Sequence, residues 1–182
     1  MSDLGDALGV IEVASIARGM VVCDALVKRA AVCVLRSHAV DPGKYLIIFR
    51  GPVAEVLEAF DAGEAAAGKA LVDKLVLTQA HEALGPAIEG TLPRPELDAL
   101  GIVETYTLCG AVVGLDVALK AARVQPVELR LAAGMGGKGV FVITGEQHDV
   151  EAAVEAAVGR IGPDALSELI ARPHADFLKG AL

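Results

Sequence analysis

Hydrophobic residues along the chain form short β-branched runs that alternate with stretches of helical spacing. Residues 8–13 are an apolar run rich in Val and Ile, which predicts a buried strand. Over residues 16–31 apolar side chains recur at helical spacing, and Ser15 is placed to cap that helix. The same half predicts strands over 32–40, 45–50 and 71–77 and helices over 52–67 and 81–88. The order β-α-β-β-α-β-α predicts an α+β, ferredoxin-like (split βαβ) domain with an antiparallel sheet.

The second half of the chain repeats the pattern of the first. Residues 7–13 read ALGVIEV and residues 99–105 read ALGIVET. Further along, Lys44 matches Lys138 at a spacing that is two residues longer, so the second copy has gained two residues before that lysine. A repeat of this length predicts two copies of one fold in tandem.

The stretch between the two copies has the composition of a linker. It reads EGTLPRPELD over residues 89–98, and its two prolines oppose regular pairing and favour an extended spacer. We therefore expect a first domain over residues 1–90, a linker over 91–98 and a second domain over 99–182.

Composition excludes several classes of protein. Hydrophobic residues make up 54% of the 182 residues and aromatic residues only 3%, so the core is aliphatic and disorder is excluded. The net charge is −8 with no basic stripe, which argues against nucleic-acid binding. No apolar run is long enough for a membrane span or an export signal. Cys23, Cys33 and Cys109 lack zinc spacing, and we expect buried thiols in a reducing cytoplasm.

Several strings in both halves are distinctive when taken together. They are ALGVIEVASIARGMVVCDALVKRAAV, ALGIVETYTLCGAVVGLDVALKAARV, LIIFRGPVAEV, VFVITGEQHDV and IARPH. On these strings the chain resembles the bacterial microcompartment shell proteins, specifically the tandem-domain class that forms trimers. The string LVDKLVLTQAH at residues 71–81 adds a likeness to the iron–sulfur-binding tandem shell proteins of propanediol-utilisation compartments.

The resemblance implies an assembly rather than an enzyme. Two unpermuted shell domains per chain would build a homotrimer, a pseudohexameric disc with a narrow axial pore. Such a disc would tile a shell facet beside other shell proteins, both hexameric tiles and vertex pentamers, with encapsulated enzymes as further candidate partners. The implied function is a structural wall in the cytoplasm that passes small molecules or ions, without catalysis, nucleic acid or membrane.

In the family, the hairpin turn between the second and third strands of each domain lines the pore. Taken without the family, these turns are explained by ordinary backbone requirements. Three Asp41 carboxylates near one axis would repel each other, raise the apparent pKa of at least one and attract cations. The expected pore-lining residues are Asp41, Pro42 and Gly43 in the first copy and Met135, Gly136 and Gly137 in the second.

Asp41 also bears on cofactors. In the iron–sulfur relatives a cysteine just before Pro-Gly holds the cluster, and here Asp41 occupies that place. Cluster ligation normally uses thiolates, and the three cysteines lie elsewhere. We therefore expect no cluster, no other metal and no cofactor, and a small polar pore instead.

The resemblance also implies contacts at the edge of the disc. Lys28 and Lys120 end the first helix of each copy, where the family's matching lysine meets its mate in the next disc. Arg172, in the string ARPH, matches another edge residue, and Gln79 holds the same place in the first copy. The alternative for both lysines is a solvated side chain favoured by the helix dipole.

Other candidate sites are weaker. The four histidines lie far apart in sequence and suit structural or surface roles. Glu12 and Glu104 recur as repeat mates, but nothing places them side by side as catalytic carboxylates. GMGGKG at residues 134–139 lies inside a hairpin, so it is not a dinucleotide fingerprint. Two other functions stay open: a tandem ferredoxin-like ligand-sensing module, and a metal or iron–sulfur electron-conduit tile.

Overall fold

A computed structural model of the chain describes residues 7–132, 134–174 and 176–177. The chain divides into two compact units of similar size. The first comprises Met1–Gly85 with Ala132–Gly137, and the second comprises Pro86–Leu131 with Lys138–Leu182. Among the described helices, none combines the length and the apolar character that crossing a membrane requires.

The first unit contains the first copy of the predicted pattern. Its elements are β1 (Ala7–Val13), α1 (Ile16–Arg29), β2 (Cys33–Val40), β3 (Lys44–Gly51), α2 (Val53–Ala67), a 3-10 turn (Gly68–Ala70) and β4 (Leu71–Leu77). The hydroxyl of Ser15 accepts a hydrogen bond from the Arg18 amide at 3.3 Å, which confirms the predicted cap of α1. A short helix, α3 (Leu84–Glu89), follows β4 and crosses the division between the units.

The second unit repeats the same order. Its elements are β5 (Ala99–Thr105), α4 (Leu108–Ala121), β6 (Gln125–Leu131), β7 (Gly139–Gly145), α5 (Gln147–Ile161) and β8 (Ala165–Ile170). Thr107 caps α4 as Ser15 caps α1, because its hydroxyl accepts from the Gly110 amide at 3.1 Å. The final helix that the repeat predicts falls largely on residues outside the described ranges.

Each unit has one four-stranded sheet in which all pairs are antiparallel. The order is β2-β3-β1-β4 in the first unit and β6-β7-β5-β8 in the second, so β1 and β5 are central. A bulge interrupts the β2–β3 register between Val34 and Arg36, and leaves Leu35 as an extra residue. The α+β fold with antiparallel sheets is thereby confirmed.

The core of the first unit lies between the sheet and the two helices α1 and α2. Ile11 of β1 and Phe49 of β3 are fully buried there, with Leu26 from α1 and Val56 from α2. Gly9 leaves room for the Phe49 ring, since a Cβ at Gly9 would lie 2.8 Å from the ring carbon Cε1. Because the chain has few aromatic residues, aliphatic side chains from the sheet and from the helices fill most of this core and exclude water from it.

Two expectations need correction. The predicted helix over 81–88 begins later, at Leu84, because the His81 ring accepts the Ala83 amide at 3.2 Å and holds the preceding residues in a turn. The cysteines are not all buried. Cys109 is buried on α4, whereas Cys23 and Cys33 are half-buried, because α1 and the edge strand β2 are partly open to solvent.

Residues 91–98 contain neither helix nor strand. The contact-based division falls between Gly85 and Pro86, within α3, and therefore before that segment. The boundaries 1–90, 91–98 and 99–182 remain a prediction.

The close packing at Gly9 predicts the effect of a methyl group. Gly9→Ala should lower the free energy of unfolding by about 1–3 kcal/mol, because the Phe49 ring and its neighbours must shift to accept the Cβ. Gly159→Ala is the control. It lies within α5, and a Cβ added there would meet no atom within 4 Å, so it should stabilise the protein by roughly 0.5–1 kcal/mol. Urea unfolding followed by circular dichroism measures both, and equal effects would contradict the packing argument.

Candidate functional site

The hairpin turn of the first unit is exposed at the end of β2 and β3. Asp41, Pro42 and Gly43 are all exposed, and the Gly43 amide closes the turn on the carbonyl of Val40 at 3.1 Å. Gly43 has φ +90°, a conformation that side chains other than glycine rarely adopt. The turn therefore presents its acidic side chain to solvent on a short, closed support.

The corresponding loop of the second copy groups with the first unit. Residues 132–137 belong to that unit, and within it the Gly134 amide donates a hydrogen bond of 2.8 Å to Oδ2 of Asp41. Gly137 is buried against the same turn, since a Cβ on it would lie 3.0 Å from the Asp41 carbonyl oxygen. Met135 is half-buried and Gly136 is exposed. The structure thus places all six residues expected to line the pore beside one another.

The contact changes the expected electrostatics of the turn. The amide of Gly134 lies against the Asp41 carboxylate and partly offsets its charge. A hydrogen bond from an amide fixes the orientation of a carboxylate. The Asp41 carboxylate is therefore held in one orientation at the tip of the hairpin.

An ion pair anchors the base of each hairpin, and sequence reasoning missed it. In the first unit the Lys44 ammonium binds Glu12, whose side chain is 0% exposed, while that of Lys44 is 16% exposed. In the second unit Lys138 binds Glu104 in the same way, with both side chains more exposed. The sequence did contain a signal for these ion pairs, because both the glutamate and the lysine recur at matching positions in the two copies. The two glutamates therefore serve separate ion pairs and form no catalytic pair.

Lys138 shows the electrostatic effect of this pairing. The hydrogen bond to Glu104 is the main cause that raises the pKa of Lys138 above the ordinary lysine value. The ammonium also lies 5.6 Å from the centroid of the exposed Tyr106 ring, within range of a cation–π contact. Both contacts keep Lys138 charged at the start of β7.

The residues expected at the tile edge are exposed to different degrees. Lys28 pairs with Asp24 at 2.6 Å, one turn back along α1, and both side chains are well exposed. Lys120 pairs with Asp116 at 2.6 Å in the same register, but the Asp116 side chain is only 3% exposed. Gln79 and Arg172 are exposed in the segments that follow β4 and β8. The lysine at the end of the first helix therefore pairs with an exposed carboxylate in the first copy and with a buried one in the second.

A larger difference between the copies lies on the first helix of each. Met20 on α1 is 59% exposed, whereas its repeat mate Val112 on α4 is 0% exposed. The same contrast holds along the helix. The exposed apolar residues of α1 are Ile16, Met20, Val21 and Val27, and their buried mates on α4 are Leu108, Val112, Val113 and Leu119. We call these four exposed residues the α1 face.

The histidines lie in separate local settings. His81 and His174 each accept, through Nδ1, the amide two residues further on, both at 3.2 Å. Burial, followed by the charge of Arg36, lowers the pKa of His38. His148 lies 3.6 Å from the carboxylate of Glu146, just before α5, and 3.7 Å from that of Asp149 on α5. Within the described ranges, no group of three or more His, Cys, Asp or Glu side chains is arranged to hold a metal ion.

Comparisons with known proteins agree on one family. The sequence profile of the BMC domain matches residues 7–80 and again residues 99–173. The chain is 38% identical to the bacterial microcompartment shell protein PduT of Citrobacter freundii over 174 residues, which cover 94% of this chain and 95% of that protein.

Two solved structures extend the comparison. A microcompartment protein from Desulfitobacterium hafniense is 36% identical and superposes with a TM-score of 0.88, covering 95% of this chain and 97% of that one. A fused permuted hexameric shell protein from the RMM microcompartment shares the fold at a TM-score of 0.65. It is 24% identical, with coverage of 85% of this chain and 82% of that one.

The contact between the two hairpins can be tested at Gly137. Gly137→Ala should destabilise the protein more than Gly136→Ala, because both glycines have positive φ but only Gly137 is packed against Asp41 and Pro42. The backbone penalty of about 1–2 kcal/mol is common to both variants. The additional loss at Gly137, about 1–3 kcal/mol, reports the contact. Chemical denaturation measures it, and an equal loss in both variants would contradict the contact.

Proposed function

Because the chain belongs to the BMC domain family of bacterial microcompartment shell proteins, with two copies of the domain in tandem, we propose that three chains close into a pseudohexameric tile of the shell facet. The tile has a narrow central pore for small molecules or ions. It acts as a wall and carries out no catalysis.

Membership confirms the resemblance found in the sequence. The role of this family is structural, and its members assemble with other shell proteins. The chain is therefore part of a microcompartment shell inside the bacterial cytoplasm. Neither the ligand-sensing module nor the electron-conduit tile is favoured by the comparisons.

The α1 face carries the proposal of a trimer. Its four apolar residues are exposed on α1, although the matching apolar residues are buried on α4. Ile16, Met20 and Val27 fall within about 40° of one another around the helix axis. Apolar side chains clustered in this way are typical of a surface that is covered in an assembly. A second copy of this chain is the partner that fits the α1 face, because the matching apolar residues of α4 are already buried in the same chain.

Symmetry then favours a closed ring. An interface between unlike surfaces of identical chains generates either a closed ring or an open filament. A ring leaves no α1 face uncovered, whereas a filament always leaves one. The number three comes from the family, since three chains of two domains supply the six domains of a hexameric disc.

The adjacent hairpins support a shared pore. The turn at residues 41–43 and the loop at 132–137 belong to one unit, so rotation about a threefold axis would bring six hairpins around one opening. Three oriented Asp41 carboxylates would give this opening a negative rim. Such a rim favours cations and neutral polar molecules over anions.

Native mass spectrometry tests the trimer. The expected mass is about 56 kDa, three times the chain mass of 18.7 kDa. Met20→Glu should shift the population to monomers, because an unpaired carboxylate would be buried in the interface at a cost of about 3–5 kcal/mol. A trimer unaffected by this change would show that the α1 face is not the interface, and a dimer in the unaltered protein would exclude the pseudohexamer.

Leu57→Glu is the matched control for this experiment. Leu57 lies on α2 and is 43% exposed, and its repeat mate on α5 is the exposed Glu151. The fold therefore already accepts glutamate at this place, and Leu57→Glu should leave the trimer intact. Circular dichroism of both variants separates loss of assembly from loss of folding.

Tile-to-tile contacts are expected to depend on the edge lysines. Lys28→Ala together with Lys120→Ala should leave trimers intact but weaken extended sheets, and Lys28→Ala alone should lose little stability because its ion pair is exposed. Lys69→Ala removes an exposed lysine elsewhere and serves as the control. Negative-stain electron microscopy of concentrated protein scores the sheets. Unchanged sheets in the double variant would refute a role of these lysines in tiling.

A further inference from the structure

A cavity of about 220 Å³ lies in the first unit, beside the C-terminal end of β3 and the turn that follows β4. Its lining includes three leucines, Leu8, Leu35 and Leu84, which we call the leucine wall. It also includes three side chains with ionisable or polar atoms, Arg50, His81 and Glu82. Leu35 is the extra residue of the β2 bulge, which places it at this wall.

Arg50 lines this cavity, and its side chain also has a buried hydrogen-bond donor without a partner. Its Nε atom is buried and, among the residues that the structure describes, it is the one buried side-chain nitrogen or oxygen that lacks a hydrogen-bond partner. Leaving such a donor unsatisfied costs free energy, and the cost is larger for a charged group.

The second copy shows that the fold does not need arginine here. The repeat mate of Arg50 is Thr144, which is 1% exposed. Its hydroxyl accepts the Asp98 amide and donates to the Ala99 carbonyl, both at 3.0 Å. At the matching place, threonine is therefore buried with its hydroxyl fully hydrogen-bonded. The arginine is a feature of the first copy alone, which favours a role in binding over a role in folding.

The surroundings of Arg50 select the type of acceptor. A guanidinium binds carboxylate and phosphate oxygens through two parallel hydrogen bonds. The exposed Glu82 carboxylate at the cavity repels the double charge of phosphate more strongly than the single charge of a carboxylate, which argues against phosphate. At about 220 Å³ the cavity is smaller than the roughly 300–1,000 Å³ of sites for drug-sized ligands, so it suits a small molecule. We propose that the cavity binds the carboxylate of a small aliphatic acid, with Arg50 as the cation and the leucine wall against the alkyl chain.

His81 supports this arrangement from the side. Its Nδ1 accepts the Ala83 amide, so the neutral ring carries its proton on Nε2. The ring is thereby held at the cavity as a hydrogen-bond donor. Gly85 completes the lining, and a Cβ there would lie 3.6 Å from Nη1 of Arg50. A larger side chain at Gly85 would therefore occupy the space beside the guanidinium.

Isothermal titration calorimetry with sodium butyrate tests the site on the intact protein. We expect one saturable site per chain for butyrate and none for butyramide, which has the same shape without the charge. Sodium phosphate at the same ionic strength should bind at least tenfold more weakly. Absence of saturable butyrate binding, equal binding of butyramide, or equal or tighter binding of phosphate would each overturn the proposal.

Variants identify the residue responsible. Arg50→Thr installs the side chain of the second copy and should reduce butyrate affinity at least tenfold while folding normally. Arg36→Thr removes an exposed guanidinium from β2 and should leave the affinity unchanged. Gly85→Leu fills the cavity with Arg50 in place, and should also lose at least tenfold. Butyrate binding that survives both Arg50→Thr and Gly85→Leu would assign it to another place.

The site is independent of the proposed trimer. Arg50→Thr should leave the native mass of the protein unchanged, and Met20→Glu should leave butyrate binding unchanged. Loss of binding in Met20→Glu protein that remains folded would contradict a cavity contained within the first unit.

Discussion

An ion pair between the central strand and the residue that follows each hairpin turn holds that turn in place, and in the first copy its carboxylate is buried. Glu12 of β1 is fully enclosed, and an enclosed carboxylate destabilises a protein unless a cation lies against it. Lys44 supplies that cation from the first residue of β3. The turn that precedes Lys44 is thereby held at one register relative to β1. The second copy keeps the same pair between Glu104 and Lys138, so both hairpins are anchored by the same interaction.

Duplication gave the chain two versions of each surface, and the two versions have diverged. The apolar side of α4 is buried while that of α1 is open, and the acidic partner of the helix-ending lysine is buried in one copy and exposed in the other. Arg50 and Thr144 differ in the same manner. A single-domain protein that assembles with itself must use one residue at each place for every neighbour. A tandem chain can assign folding to one copy and recognition to the other.

The sequence predicted most of the fold because the fold depends on local patterns. Apolar periodicity and the Ser15 cap located the strands and helices within a few residues. The start of α3 was missed because a side-chain contact of His81 decides it. The Glu–Lys pairs were missed for a related reason. Their partners are distant in sequence, and each residue alone resembles an ordinary surface charge.

The sequence pointed to the candidate site without its detail. Family likeness indicated residues 41–43 and 135–137, and the structure places them together, while their role in lining a pore stays a prediction. The amide that binds Asp41 could not be inferred, since the glycine-rich loop offers several donors and only its backbone conformation selects Gly134. The Arg50 cavity was also missed, because it is formed by a bulge and a turn that sequence periodicity does not describe.

The difference between the ion pairs of Lys28 and Lys120 has a consequence for a crystalline facet of tiles. A disc built from six identical domains is unchanged by a turn of 60°, so its neighbours meet the same edge in every setting. In the proposed trimer, sides that carry Lys28 and Gln79 alternate with sides that carry Lys120 and Arg172. Such a disc has two distinguishable orientations in a hexagonal lattice. A facet made from it contains directional information that a sixfold disc lacks.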